Sequence, residues 1–200
     1  MAIKGGESMA DDSVKNPDSV ENDCHQPEQN AIQAPEALKT DGGKGKLPFL
    51  GFVGSYPHSI DAKGRMIIPA AFREALGERF AVAPSPDFQA VALYPIADWI
   101  ARRDDLAAIA HRKPVAQPIL DTFTKYSFTD CEADAQGRLL LPSRIRAWRL
   151  GDARDVEVNG ANDHIRIISA SAGKDQDRAF DEKYPDPLAF LTSLQDGNTF

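Results

Sequence analysis

Apolar and polar positions follow the same order at two places in this chain. Three apolar residues at 66–68 stand between a polar segment at 61–65 and Pro69, and residues 134–142 repeat this order up to Pro142. A short apolar run bounded by turn-forming residues predicts a buried strand. Proline suits the first helical position because its missing N–H is not needed there. Each copy therefore predicts a strand, a tight turn, a second strand and a short helix.

The two copies share residues as well as pattern, at an offset of 73 positions. The first reads DAKGRMIIP at 61–69 and the second DAQGRLLLP at 134–142. Aspartate is favoured at the first position of a type I turn, and glycine at the fourth, where a left-handed backbone suits a residue without Cβ. We predict two hairpins, each closed by a type I turn with a glycine bulge. Each tip would present Lys63 and Arg65, or Gln136 and Arg138.

The remaining pattern predicts an α+β chain that is mainly β. Pro57 marks an edge or an interruption of the first strand, and Gly77 and Gly151 stand where helices commonly end. Pro114 and Pro118 bracket a linker between the halves, 50–113 and 114–172. Strands are predicted at 52–60, 80–83, 90–94, 126–133, 156–158 and 164–168, and helices at 69–76, 96–109, 142–150 and 188–194.

Charge and composition set the ends of the chain apart from its middle. Residues 1–49 hold five lysines and nine acidic residues with a single aromatic, Phe49, so we predict a disordered acidic tail. Residues 173–200 hold three basic and six acidic residues and form a second acidic tail. The net charge of the whole chain is −7, and the two tails together account for all of it, so residues 50–172 have a net charge of zero. Cations on its hairpin tips would attract phosphates within a Debye length of roughly 10 Å.

Several functional classes find no support in the sequence. No signal-peptide apolar region and no run of about 18 apolar residues is present, which argues against secretion and membrane spanning. Cys24 and Cys131 make no disulfide framework, so a reducing cytoplasm fits best. No catalytic triad, glycine-rich phosphate loop or paired metal ligand appears, and we predict no enzyme activity, cofactor, metal or small-molecule substrate. The four histidines are scattered, at 25, 58, 111 and 164.

The doubled turn motif and its surroundings resemble the MraZ family of transcriptional regulators, which are associated with bacterial division and cell-wall gene clusters. The resemblance covers roughly residues 50 to 170. Two features depart from the family pattern: some 50 residues precede its first strand, and prolines occupy a linker where a helix rich in cations is common. The residues that carry the resemblance are Phe52, Gly54, Tyr56, the turn at 61–65 through Pro69, Leu93, Tyr94, Pro95, Trp99 and the turn at 134–138 through Pro142.

The resemblance implies two fused AbrB/SpoVT-like swapped-hairpin domains that form an internally duplicated barrel with short helices. It also implies a ring-like homo-oligomer in the cytoplasm, associated with the nucleoid, that binds tandem short repeats of double-stranded DNA in its own promoter region. An antitoxin-like protein-binding module of the same fold is the alternative, because an acidic tail could hold a toxin.

Each candidate site residue has a structural alternative. Arg65 and Arg138 could contact bases or phosphates, or only form exposed ion pairs with Asp61 and Asp134; the repeat and the resemblance favour DNA. Lys63 would contact phosphate, and Gln136 could read adenine. Asp61, Gly64, Asp134 and Gly137 would support the turns. Arg73 and Arg146 would support the tips, contact the DNA backbone or lie on a solvated helix face, and Trp99 and Trp148 would belong to the core.

Overall fold

The computed structural model describes residues 49–195, so the predicted tail at 1–49 lies almost wholly outside the described residues. The described part is an α+β fold of short strands and mostly short helices; the prediction that it is mainly β was wrong, because more of these residues lie in helices than in strands. The strands are β1 Ser55–Ser59, β2 Arg65–Ile67, β3 Arg79–Pro84, β4 Val91–Pro95, β5 Phe128–Glu132, β6 Arg138–Leu140, β7 Asp155–Gly160 and β8 Ile165–Ser169. The helices are α1 Ala70–Leu76, α2 Ile96–Arg112, α3 Gln117–Lys125, α4 Ser143–Arg149, α5 Ala170–Lys183 and α6 Pro187–Gln195, with a 3-10 turn at Pro114–Ala116.

Two antiparallel sheets interleave strands from both halves of the chain. The larger sheet has the order β1-β7-β8-β4-β3-β5, and the smaller one pairs β2 with β6. The order is symmetric between the halves of the chain. If β1, β3 and β4 are exchanged with β5, β7 and β8, the same order results when the sheet is read from its opposite edge. Within residues 49–195 the strands do not close into the barrel that the resemblance implied, because β1 and β5 end the larger sheet as edges. Pro57 lies in edge strand β1, where its missing N–H is tolerated.

The predicted hairpins are limited to their turns. The strands on either side of the first turn do not pair with each other: β1 pairs with β7, and β2 pairs with β6. In the second copy, β5 pairs with β3 instead of β6. The hairpin prediction was wrong on this point, because each flanking strand forms its ladder with the other half of the chain.

The central strands are buried on both faces, which explains why they read as continuous apolar runs. Phe80 and Val82 of β3 face the main core, whereas Ala81 and Ala83 face a second cluster with Tyr94. Since successive side chains in a strand point to opposite faces, one strand contributes to both clusters. Helices α1 and α4 contribute Phe72, Leu76 and Ile145 to the main core.

Helices α2 and α3 cover the second cluster. Helix α3 lies in the segment that was predicted to be a linker. Helix α3 begins at Gln117 with Pro118 in its first turn, where proline is tolerated. Its Phe123 is buried and stacks with Trp99 of α2 at a centroid distance of 6.3 Å. The Trp99 indole N–H also donates to the Ser127 hydroxyl at 3.0 Å, so Trp99 packs against the core as predicted.

The ends of the remaining helices follow local residue chemistry. Gly77 and Gly151 have φ values of 85° and 56° just after α1 and α4, in agreement with the prediction. Helix α5 was not predicted, because its sequence is strongly polar; it begins at Ala170 and is capped by Ser169, whose hydroxyl accepts the Ala172 N–H at 3.3 Å. Helix α6 matches the predicted helix at 188–194. Among residues 49–195, every helix is too short or too polar to span a lipid bilayer.

Candidate nucleic-acid interface

The first turn is organised by the carboxylate of Asp61. Its Oδ1 accepts the backbone N–H groups of Lys63 and Arg65, both at 2.9 Å, and its Oδ2 accepts Arg65 Nε at 2.8 Å. The backbone closes the turn as Gly64 N–H donates to Asp61 O at 2.9 Å and Asp61 N–H donates to Arg65 O at 2.8 Å. Gly64 has a φ of 82°, which glycine adopts without strain. The result is a rigid turn with Lys63 exposed at its end.

The second turn repeats this arrangement around Asp134. Its Oδ1 accepts the N–H groups of Gln136 and Arg138 at 2.9 Å each, and its Oδ2 accepts Arg138 Nε at 2.7 Å. Gly137 N–H donates to Asp134 O at 2.7 Å, with a φ of 79° at Gly137. Two segments 73 residues apart therefore adopt the same local structure, with Gln136 in the place of Lys63.

Strands β2 and β6 bring the two turns into one unit, the β2–β6 ribbon (residues 65–67 and 138–140). Ile68 N–H donates to Gly137 O at 2.9 Å, and Leu141 N–H donates to Gly64 O at 3.1 Å. Each strand of the ribbon thus ends against the turn of the other copy. The sequence predicted two hairpins, each with its own tip. In the structure the two tips lie at opposite ends of one ribbon.

The ribbon has an apolar inner face and a mixed outer face. Met66 and Leu139 oppose each other and face the core, where each is 1% exposed. Residues directly opposite in a ladder share a face, so the pairs Arg65–Leu140 and Ile67–Arg138 lie together on the outer face. Ile67 is 45% and Leu140 is 60% exposed. The prediction that both apolar triplets, 66–68 and 139–141, are buried was therefore wrong for their middle residues, which the period-two alternation of a strand places on the outside.

Arg73 and Arg146 each support the turn of the opposite copy. Arg73 of α1 donates its Nε to Ile68 O at 2.8 Å, and its guanidinium packs against Gly137. Arg146 of α4 packs its guanidinium against Gly64 in the same way. A Cβ at either glycine would overlap these guanidinium groups. Glycine is therefore required at both positions for two reasons: the backbone has a positive φ, and a guanidinium occupies the space that a Cβ would fill.

Trp148 and Arg149 of α4 form a separate aromatic stack. Trp148 stacks on Tyr126 at a centroid distance of 4.0 Å and packs against the main core, as predicted. Arg149 lies 3.3 Å from the centre of the Trp148 ring. Arg149 therefore does not extend freely into solvent, because its guanidinium lies on the tryptophan ring.

The aspartates of the two turns orient Arg65 and Arg138 through one nitrogen, the Nε of each guanidinium. The Arg65–Asp61 and Arg138–Asp134 pairs are exposed, so each contributes little to stability. Each pair uses the arginine Nε; among residues 49–195 no hydrogen bond is made by the Nη groups of Arg65 or Arg138. Those donors can meet an external acceptor. The described residues contain no group of three or more His, Cys, Asp or Glu side chains that could hold a metal.

We expect acid to loosen both turns. Hydrogen bonds from the Arg65 backbone N–H, and then its side chain, hold the pKa of Asp61 below its ordinary value. The backbone N–H and side chain of Arg138 do the same for the pKa of Asp134. A lowered pKa in the folded protein stabilises the turn above the unfolded pKa of about 3.9, and this contribution is lost as pH falls through the folded value.

The measurement is an NMR titration of the Lys63 and Gln136 amides from pH 7 to pH 2. Both amides should move together with the loss of charge on their carboxylates, at midpoints below the ordinary value. The Asp61→Asn variant is the matched control, since it removes the titration at Lys63 and leaves that at Gln136. A midpoint at or above about 4 for the wild-type turns would contradict the assignment.

Comparisons with known proteins identify the family of this chain. Residues 52–120 match the family model described as "MraZ protein, putative antitoxin-like". A protein of Desulfitobacterium hafniense strain Y51 is 36% identical over 146 residues, which are 72% of this chain and 98% of the relative. A protein of Moorella thermoacetica is 35% identical over 133 residues, 66% of this chain and 91% of the relative. Both are named transcriptional regulator MraZ. Because the match spans nearly the whole length of such relatives, this chain belongs to the MraZ family.

Proposed function

We propose that this protein is a sequence-specific DNA-binding transcriptional regulator that docks its β2–β6 ribbon on double-stranded DNA. One observation carries the proposal: Arg65 and Arg138 share the outer face of a single exposed ribbon, each held by a carboxylate through its Nε. The relatives' name, transcriptional regulator, supports the same role.

The dimensions of the ribbon suit the major groove. That groove is about 12 Å wide and admits a two-stranded ribbon, and arginine can bind O6 and N7 of guanine in a bidentate way. Ile67 opposes Arg138, so Arg65 and Arg138 are two residues apart along the ribbon. At about 3.4 Å per residue this offset is about 7 Å, close to two base-pair steps. The two arginines would therefore read guanines about two steps apart.

The turns at the two ends of the ribbon would make unequal contacts. Lys63 is exposed and contacts a phosphate, whereas Gln136 at the matching position reads adenine or makes a neutral contact. Asp61 and Asp134 hold the turns and stay off the DNA, because a carboxylate repels phosphate. Arg73 and Arg146 act through the turn glycines that they cover.

The finer assignment follows the family resemblance. The protein consists of two fused AbrB/SpoVT-like domains, assembles into a ring-like homo-oligomer, and binds tandem short repeats upstream of division and cell-wall genes, including its own promoter. It works in the cytoplasm on the nucleoid. The interleaved strand order of the larger sheet supports a duplicated origin, since each half supplies an equivalent set of strands.

The test is a DNase footprint of the full-length protein on the segment upstream of its own coding region. We expect protection over direct repeats of a short G-rich motif about one DNA turn apart. Random DNA of the same length is the control at equal salt, since nonspecific affinity depends strongly on salt. Equal protection of both DNAs would contradict sequence-specific binding.

We further expect affinity to rise with the number of repeats. One chain offers three cations on the ribbon and its first turn, Lys63, Arg65 and Arg138, and contacts of that kind typically give dissociation constants of about 10⁻⁴ to 10⁻⁶ M. Tethering several ribbons in one assembly makes later contacts intramolecular and can raise affinity by roughly 10² to 10⁴. Light scattering gives the mass, and salt titrations on operators with one, two and three repeats give the slopes. A monomer, or a log-log salt slope independent of repeat number, would refute the multivalent mechanism.

An antitoxin-like, protein-binding role is the second candidate, because the description of the matching family model includes that term. The two roles make different demands on the ribbon. If the protein acts by binding a partner protein through its acidic tail, it should bind the upstream segment and random DNA with equal affinity, and it should form a stable complex with that partner. A pull-down beside the footprint separates them, with the Arg65→Ala variant expected to retain any such partner.

A further inference from the structure

We propose that Ile67 and Leu140 are specificity-determining residues that contact thymine methyl groups in the major groove; this inference rests on the proposed DNA-binding function. The ribbon would then read guanine and thymine together, through two pairs that each combine one arginine with one apolar side chain.

The positions of the two apolar residues carry the inference. Leu140 is directly opposite Arg65 and Ile67 is directly opposite Arg138, so the outer face alternates charged and apolar side chains diagonally. Cβ atoms of residues directly opposite lie about 4.5 to 5.5 Å apart. Both copies of the repeat place a large apolar residue at a site that folding leaves exposed. The outer face of an exposed strand normally carries polar side chains, and the core does not account for these two, because Met66 and Leu139 already fill the inner face.

The chemistry of the groove identifies what such a pair would contact. Among the base edges in the major groove, the thymine C5-methyl is the apolar group, whereas guanine presents only acceptors there. An arginine with an apolar neighbour about 5 Å away matches a guanine beside a thymine, since adjacent base pairs are separated by about 3.4 Å. A second copy of this chain is a poorer occupant of the same face, because its arginines would meet Arg65 and Arg138. A nucleic acid offers both the methyl groups and the negative charge.

Replacing thymine with uracil removes only the methyl group, which makes it a direct probe. The experiment uses the full-length protein and the operator defined by the wild-type footprint, with each thymine in one repeat replaced in turn by uracil. We expect two positions at which wild-type affinity falls about three- to fivefold, the scale of losing one buried methyl contact. These positions should adjoin guanines.

Variants of the protein assign each methyl to its side chain. Ile67→Ala and Leu140→Ala should each bind the thymine operator more weakly and lose the thymine–uracil difference at one position only. Val115→Ala is the matched control, since Val115 is an exposed apolar residue on the 3-10 turn and outside the ribbon. It should keep both the affinity and the difference. A thermal melt checks that each variant is folded.

The outcomes separate this inference from the function on which it rests. Wild-type protein that binds the operator specifically but is indifferent to every uracil replacement would overturn the inference and leave the proposed function standing. Retention of the full thymine–uracil difference by both Ile67→Ala and Leu140→Ala would do the same. Failure to bind any operator specifically would overturn both.

Discussion

Replacing Arg65 with alanine is expected to abolish specific DNA binding and to leave the fold intact. The arginine lies on the outer face of the β2–β6 ribbon, and its ion pair with Asp61 is exposed. Loss of an exposed ion pair costs little stability, because solvent screens the two charges. A bidentate contact with guanine is worth roughly 1 to 3 kcal/mol, and an oligomer loses it in every subunit. The measurement is a gel shift on the operator, beside a thermal melt.

A matched variant distinguishes the loss of this contact from the loss of a positive charge. Arg79 begins β3 and forms an exposed ion pair with Asp130 at 3.3 Å. It lies outside the ribbon, so Arg79→Ala removes the same charge and a comparable pair. It should bind the operator within about twofold of wild type, because a distant charge acts only through screened electrostatics. Operator binding by Arg65→Ala at wild-type strength would show that the ribbon assignment is wrong.

Replacing Gly137 with alanine is expected to destabilise the protein by about 2 to 4 kcal/mol. The alanine would hold a positive φ, which costs on the order of 1 kcal/mol or more. Its Cβ would also overlap the guanidinium of Arg73, which must move and release the carbonyl of Ile68. Leaving a buried acceptor unsatisfied costs about 1 to 3 kcal/mol. Chemical denaturation of the full-length protein measures the sum.

Gly151 offers a control that separates backbone strain from the overlap. Its φ of 56° is positive like that of Gly137, but among the described residues a Cβ there would meet no atom within 4 Å. Gly151→Ala should therefore show only the strain, about 1 kcal/mol. Adding Arg73→Ala to Gly137→Ala should cost less than the two single changes together, because the arginine is then gone. Equal losses for Gly151→Ala and Gly137→Ala would contradict the crossed support of the turns.

Local chemistry made much of the candidate site predictable. The Asp61 carboxylate accepts N–H groups only two and four residues away, so the nine-residue motif contains both the donors and the acceptor that hold its turn. The same holds for the glycines that end helices and for the short helices α1 and α4, whose apolar spacing is visible in the sequence. Helix α5 escaped prediction because its polar sequence leaves little apolar periodicity to detect.

The turns and the strands that are apolar on both faces are predictable from the residues alone, because they depend on contacts within a few positions. The choice of strand partners is not, because it depends on the packing of the whole fold. The pairing of β2 with β6 joins segments 73 residues apart, and nothing in either segment distinguishes this partner from a flanking strand. That pairing puts Arg65, Arg138, Ile67 and Leu140 on one face and sets Arg73 and Arg146 against the opposite turns. An interface built from two distant copies depends on strand pairing, and strand pairing is settled by burial across the whole fold rather than by local preference.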